Sequence, residues 1–391
     1  MLSDRTRGLV GAAELALMKP TARLVNTSRG PIVVERDLVA VLEKGQIAGA
    51  AVDVFDQEPL PPDHPFRRSP NLLATPHIGY VSRGLYERFY RDTFENIRRS
   101  GAYVMTSTGR LAPLQWELFI RRRGSATQGV PPGKEALTWV ANTVTLIRGE
   151  RDALLVDTFL SNEQTAELAD WIATKGRTLR TIYLTHAHPD HYFGLTLLLA
   201  RFPEACAIAR PNVVKAMQVS SSPDVVANNW ERRWPGQIPE RLTIAESLYT
   251  DTFELEGHEI RIIDTAHTDT DDTTALYVPS LGLVISGDAI YNETHPFLAE
   301  SDLAGRQAWL AAIDKIARLN PRAVVVGHGP LDPDNSPHHI DATRQYIRDF
   351  ERVNEDTATA IELYDKMLAI YPDRINPGSL WAAVHAAKSK A

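Results

Sequence analysis

The chain has 391 residues, 43% of them hydrophobic and 23% charged, with a net charge of −7 at pH 7. That is an ordinary soluble composition, and the length favours two domains over one. The acidic balance, with no Lys/Arg stripe, argues against nucleic acid as a partner, and no apolar run is long enough for a membrane span or placed as a signal region. The single cysteine, Cys206, excludes an intrachain disulfide and fits a reducing, cytoplasmic compartment. Its setting, Ala205-Cys206-Ala207-Ile208, reads as a core position and not a nucleophile.

In chain order, Ala12 to Met18 reads as a short helix stopped by Pro20, and Arg23 to Asn26 as a strand. Glu35 to Lys44 reads as a helix with Leu38, Val39, Val41 and Leu42 as its apolar residues, ended by Gly45. Gly49 to Val54 and Asn71 to Ala74 read as further strands, and Tyr86 to Arg98 as an amphipathic helix. Such alternation predicts a parallel sheet covered by helices, with few strands for an independent domain. Ser100 to Leu114, with Ser107, Thr108, Gly109 and Pro113, reads as a linker, so the expected division is 1–106 and 107–391.

Trp116 to Ile120 opens the second segment as a strand, and Arg121-Arg122-Arg123 reads as its solvated end. Gly124 to Lys134 is an exposed loop, and Trp139 to Ile147 pairs with Ala153 to Asp157 as a hairpin. Glu163 to Thr174 is a helix capped by Asn162 or Ser161. The strand Thr181 to Leu184 then runs into Thr185-His186-Ala187-His188-Pro189-Asp190-His191, followed by Gly194 and a helix from Leu195. Ser220 to Leu242 is irregular, broken by Pro223, Pro235 and Pro239, and its Trp230 and Trp234 read either as packing residues or as part of a substrate lid. Apolar strands end at His267, Asp288 and His328, and Ser301 to Leu319 is helical. The chain closes with helices over Ile340 to Val353, Thr357 to Ile370 and Leu380 to Lys388, expected to cover the core or to make a homodimer contact.

Three imidazoles and a carboxylate within six residues are ligands for a cation such as zinc, and ordinary packing has no use for such a cluster. His267, Asp288 and His328 each lie where a buried strand gives out, and with the first four they make seven ligands, enough for two metals.

His-x-His-x-Asp-His followed by a His, an Asp and a His at strand ends resembles the metallo-β-lactamase superfamily over about residues 114–391. The resemblance implies an α/β fold of αββα sandwich type with a dinuclear site at one edge of the two sheets. It implies that His186, His188 and His267 hold one zinc, Asp190, His191 and His328 the other, and Asp288 bridges them. The strand closing on Asp157 and the opening strand at Asn142 fit the same family. The expected activity is hydrolysis of an ester, thioester or lactone-type carbonyl of a small molecule by a hydroxide shared between the zinc ions. Asp190 could pass a proton to the leaving group, and Tyr291 and Asn292 are candidate donors to the substrate.

The first segment resembles the D-2-hydroxyacid dehydrogenases in Leu24 to Gly30, Ala51 to Pro59 and Ala74 to Gly79, as the latter part of a Rossmann-like NAD-binding domain. The resemblance implies that Arg29 clamps a substrate carboxylate, Glu58 hydrogen-bonds His77, His77 exchanges the proton, and Asp53 contacts the nicotinamide. The family's Gly-x-Gly-x-x-Gly phosphate turn is absent from the 391 residues. The expectation is therefore that Arg29, Glu58, His77 and Asp53 are relics and that NAD does not bind tightly. An NAD-dependent oxidoreductase is the rival reading, and a docking surface for a dehydrogenase-like partner a third.

Overall fold

The computed structural model describes residues 2–69, 71–82, 84–86, 88–90 and 111–389. The chain forms two compact units, Met1–Gly109 and Arg110–Ala391.

In the first unit, strands β1 (Arg23–Asn26), β2 (Gly49–Val52) and β3 (Leu72–Ala74) form a parallel sheet in that order. Helices Ala12–Ala16 and Glu35–Glu43 carry Leu15, Leu38, Val41 and Leu42 into a core with Val52, Phe55 and Phe66. The spacing of Leu38, Val41 and Leu42 places them on one helical face, so the helix is held by burial of that face. The expected helix from Tyr86 to Arg98 and the linker from Ser100 both run into residues outside those described.

The second unit is built on two sheets. One has six strands in sequence order: β4 (Gln115–Gly124), β5 (Trp139–Arg148), β6 (Asp152–Val156), β7 (Thr178–Tyr183), β8 (Cys206–Ala209) and β9 (Glu246–Ser247). It is antiparallel from β4 to β6 and parallel from β6 to β9. The other has five: β10 (Thr252–Leu255), β11 (His258–His267), β12 (Asp271–Val278), β13 (Leu283–Ile285) and β14 (Ala323–Val325), antiparallel except for β13 with β14.

Side-chain alternation explains why so many of these strands are apolar throughout. In β6, Leu154 and Val156 enter the core between the sheets, where they join Ile260, Leu276, Leu283, Ile285 and Val325. Ala153 and Leu155 enter a second core under helices Asn162–Ala173, Leu195–Arg201 and Pro211–Ser220. Val284 and Val324 face a third core, closed by helices Leu303–Ala317, His338–Glu355, Ala360–Ile370 and Pro377–Ser389. Strands buried on both faces have no polar side to show, which is the pattern of an αββα sandwich. Of the two caps offered for the first helix, the structure uses Ser161, whose Oγ accepts from Gln164 N at 3.3 Å.

The segment Ser220 to Leu242 contains a helical stretch, Pro223–Val225 continuing into the π-helical turn Val226–Glu231. Trp230 and Trp234 stack with centroids 5.9 Å apart and pack against the outer core.

Candidate metal centre

The site lies where the two sheets are stitched together at one edge. Thr274 N and Oγ1, at the start of β12, both donate to Thr185 O, at 2.9 and 2.7 Å. Thr143 N of β5 donates to Gly327 O, beyond β14, at 2.9 Å. These cross-links bring the loops after β6, β7, β11, β13 and β14 to one place. Two glycines allow the approach: a Cβ on Gly327 would stand 2.1 Å from Asp288 Oδ1, and one on Gly287 (φ +50°) 2.8 Å from Thr185 Oγ1.

Two groups of ligand-type side chains converge there. His186, His188, Asp269 and Asp288 form one, and Asp190, His191 and His328 the other; within each group the ligand-type atoms lie within 4.8 Å of one another. Asp288 joins them, its Oδ1 3.4 Å from His191 Nε2 and its Oδ2 3.0 Å from His328 Nε2. His188 Nδ1 and His186 Nε2 lie 2.8 and 3.6 Å from Asp269 Oδ2. His186 Nε2, His191 Nε2, Asp269 Oδ2 and Asp288 Oδ1 are buried without a hydrogen-bond partner. Buried polar atoms are almost always satisfied, so four orphans in one place call for a missing partner.

A further layer orients these groups. Asp157, directly after β6 and at φ +63°, accepts from Thr185 N at 2.8 Å and lies 2.9 Å from His191 Nδ1. His328 Nδ1 lies 3.0 Å from Ala141 O, which leaves its Nε2 turned inward. Burial pushes His186 down to about 4, with His191 beside it adding to the effect. In His191 burial works the same way, but the carboxylates of Asp288 and Asp157 outweigh it and push the imidazole up to about 10. His328 is raised too, Asp288 overcoming its burial. The carboxylates here demand positive charge.

The structure corrects the expectation for His267. Its Nδ1 lies 2.6 Å from Asp271 Oδ1 and its Nε2 2.8 Å from Ser301 Oγ, outside both groups. Asp269, fully buried, stands with His186 and His188 instead. The pairing of β11 with β12 shifts register on both sides of Ala266, which takes φ +56°. A bulge of that kind re-aims the side chains that follow it. The signal available in the sequence was a second ligand-type residue two positions on, in His267-Thr268-Asp269.

Tyr291 is buried at the cavity wall, and its hydroxyl donates to Asp288 Oδ2 at 2.9 Å, so its one proton is engaged by the cluster. Asn292 is buried beside it. Arg123 is not a solvated strand end: its Nη2 donates to Asp190 Oδ2 at 2.7 Å, and its side chain is 14% exposed. Asn142 Nδ2 donates to the same oxygen at 2.8 Å. Burial would raise the Asp190 pKa, but Arg123, His191 and His328 hold it well below the usual carboxylate range. A cavity of about 700 Å³ opens over the cluster, lined among others by His188, Asp190, Asp288, His328 and Trp230.

In the first unit, His77 (φ +55°) sits with Nδ1 2.7 Å from Glu58 Oε2, and both line a cavity of about 520 Å³. The His77 hydrogen bond, followed by one from Phe55 N, lowers the Glu58 pKa. Arg29 is exposed and donates to Ser28 O at 2.6 Å. Asp53 accepts from Thr75 Oγ1, Ile78 N and Gly79 N at 2.6, 2.9 and 2.6 Å, so it anchors the turn that presents His77.

Comparison with known proteins fits both units. Residues 1–79 match the D-isomer specific 2-hydroxyacid dehydrogenase NAD binding domain, and residues 137–328 the metallo-beta-lactamase superfamily. A glyoxylate reductase of Aeropyrum pernix is 47% identical over 96 residues, which is 25% of this chain and 29% of that protein. A glyoxylate reductase of Thermofilum pendens is 51% identical over 77 residues, 20% of this chain and 23% of that protein. The chain thus spans less than a third of the length of the reductases it matches. A metallo-beta-lactamase family protein from Thermus thermophilus shares the fold, with a TM-score of 0.50 and 20% identity, over 69% of this chain and 91% of that one. The chain joins two families: residues 1–79 belong to the NAD-binding domain of the D-isomer specific 2-hydroxyacid dehydrogenases, and residues 137–328 to the metallo-beta-lactamase superfamily.

Proposed function

We propose that the second unit is a metal-dependent hydrolase that takes two divalent ions, zinc by the nature of its donors, and cleaves an ester, thioester or lactone-type carbonyl of a small molecule. The observation that carries this reading is the set of orphaned, buried atoms His186 Nε2, His191 Nε2, Asp269 Oδ2 and Asp288 Oδ1 within two converging groups of imidazole and carboxylate. Four imidazoles and three carboxylates match the borderline-hard preference of zinc, and the raised His191 and His328 are what carboxylates produce when protons stand in for cations. His186, His188 and Asp269 would hold one ion, Asp190, His191 and His328 the other, with Asp288 between them. Bound there, the ions would supply Lewis acidity and a water ligand acidified to about pKa 7.

The chain's own residues do the rest. Asp157 and the Ala141 carbonyl fix the ring orientation of His191 and His328, a role whose loss ordinarily weakens metal affinity. Tyr291 holds the Asp288 carboxylate in place. Arg123 and Asn142 keep Asp190 ionised, which suits a ligand or a proton acceptor better than a proton donor. Protein purified without chelator is expected to contain about two zinc per chain by elemental analysis, and stripping the metal should abolish hydrolysis. Full hydrolytic activity in a stripped sample would overturn the reading.

The rival, reduction of a 2-oxo acid through the first unit, draws support from the Glu58–His77 hydrogen bond. The 391 residues contain no Gly-x-Gly-x-x-Gly turn to cradle a pyrophosphate. Calorimetry of the full chain with NADH is expected to show nothing tighter than about 1 mM, or about 4.1 kcal/mol. Micromolar binding, or oxidation of NADH with glyoxylate, would restore the oxidoreductase reading.

A further inference from the structure

We propose that Arg232 and Arg233 form an oxyanion receptor in the metal-centre cavity, so that the substrate carries a carboxylate or phosphate apart from the bond being cleaved. The inference rests on the hydrolase reading for the identity of that bond, and on the cavity alone for the anion.

The cavity is lined by three arginines, Arg123, Arg232 and Arg233, and three carboxylates, Asp190, Asp288 and Glu300. Every carboxylate is engaged. Asp190 pairs with Arg123 at 2.7 Å, and Asp288 with His328 at 3.0 Å. Glu300 accepts from Thr270 Oγ1 at 2.7 Å and lies 3.4 Å from His188 Nε2. Arg123 is used up in its pair. Among the described residues, Arg232 and Arg233 have no ion pair; Arg233 lies over the Trp230 ring at 5.8 Å. Their neighbour Glu231 is turned to the Gly236 N–H at 2.6 Å. Two unneutralised arginines, consecutive in sequence and both lining the cavity, in a chain of net charge −7, are a local reversal of sign that an anionic ligand would satisfy.

The backbone that carries the arginines is anchored. They follow the turn Val226–Glu231, whose π-helical winding is rare and recurs at functional sites. Trp230 anchors that turn, stacked on Trp234 and set edge-on to the buried Phe193 at 6.3 Å, two residues beyond His191. A guanidinium offers a planar fork to an oxyanion, and the turn before the two is itself fixed by the Trp230 packing. The volume of about 700 Å³ leaves room for a small molecule reaching from the cluster to these residues.

The test uses the full chain, stripped of metal so that the ions themselves cannot bind the probe. Glutarate, inorganic phosphate and neutral glutaramide are titrated by calorimetry at low salt into the wild type and into R232A/R233A. Both side chains are exposed, and circular dichroism checks that the variant is folded. At least one of the two anions should bind the wild type, glutaramide should not, and the double substitution should weaken the anion at least about tenfold, which is about 1.4 kcal/mol. Whichever anion binds identifies the oxyanion. Equal affinity in wild type and variant, or no anion binding to the wild type up to about 10 mM (about 2.7 kcal/mol), would overturn the receptor. In a second arm, the zinc-loaded proteins are compared on mono(4-nitrophenyl) glutarate and on 4-nitrophenyl butyrate. If glutarate is the anion, the substitution should lower kcat/KM at least about tenfold more for the acidic ester. Arginine-dependent anion binding with neither ester cleaved would leave the receptor standing and count against the ester-hydrolase reading alone.

Discussion

Asp288→Ala is expected to cost at least about two orders of magnitude in hydrolysis, roughly 2.7 kcal/mol or more of transition-state stabilisation, without unfolding the chain. Asp288 stands with His186, His188 and Asp269 in the first group and also reaches the second, with His191 near one oxygen and His328 near the other. Its loss leaves those two imidazoles without their main common counter-charge and leaves the Tyr291 hydroxyl without an acceptor in a buried setting. The backbone around it is held independently: Ser286 N donates to Val325 O at 2.8 Å, and Trp309 Nε1 donates to Ala289 O at 2.8 Å. Folding can therefore survive while the centre fails. The measurement is zinc content, circular dichroism and turnover on the same preparation. Full metal content with near wild-type turnover would show that Asp288 is not the shared carboxylate.

The second large effect separates two residues that are neighbours in the sequence. Asp269→Ala is expected to drop zinc content to about one per chain or below and to lower hydrolysis about 100-fold or more, whereas His267→Ala should keep both ions. Asp269 is fully buried against His186 and His188, and Thr268 Oγ1 donates to its other oxygen at 2.9 Å. His267 bonds Asp271 and Ser301, and removing such contacts costs about 0.5–1.5 kcal/mol each in stability. Elemental analysis of the two variants side by side decides the matter. Zinc loss from His267→Ala with full retention in Asp269→Ala would reverse the assignment.

The two units and the sandwich were legible in the sequence because their signals are local. Runs such as Leu154-Leu155-Val156 and Leu283-Val284-Ile285 are apolar at every position, and only a strand covered on both faces needs that. The cluster was legible for the same reason. His186 and His188 lie on the short loop after β7, and Asp190 and His191 on the helical turn Pro189–Tyr192 that follows directly, so contiguity alone brings them close. Asp288 and His328 follow buried strands that end at the same sheet edge.

Three features depended on pairings that no local pattern reports. The choice of Asp269 over His267 came from register shifts where β11 meets β12, and a bulge is a property of two strands together. Arg123 looked like one of three solvated charges until β4 paired with β5 in the register Arg123↔Val140, which sets its guanidinium against Asp190, a residue 67 positions away. Tyr291 looked available until the packing around it closed and turned its hydroxyl to Asp288. By itself the sequence determined the fold class and the donor types, because periodicity and residue chemistry are written along the chain. Only the tertiary structure decided which donors converge and which charges are already answered, because both are set by contacts between strands remote in sequence.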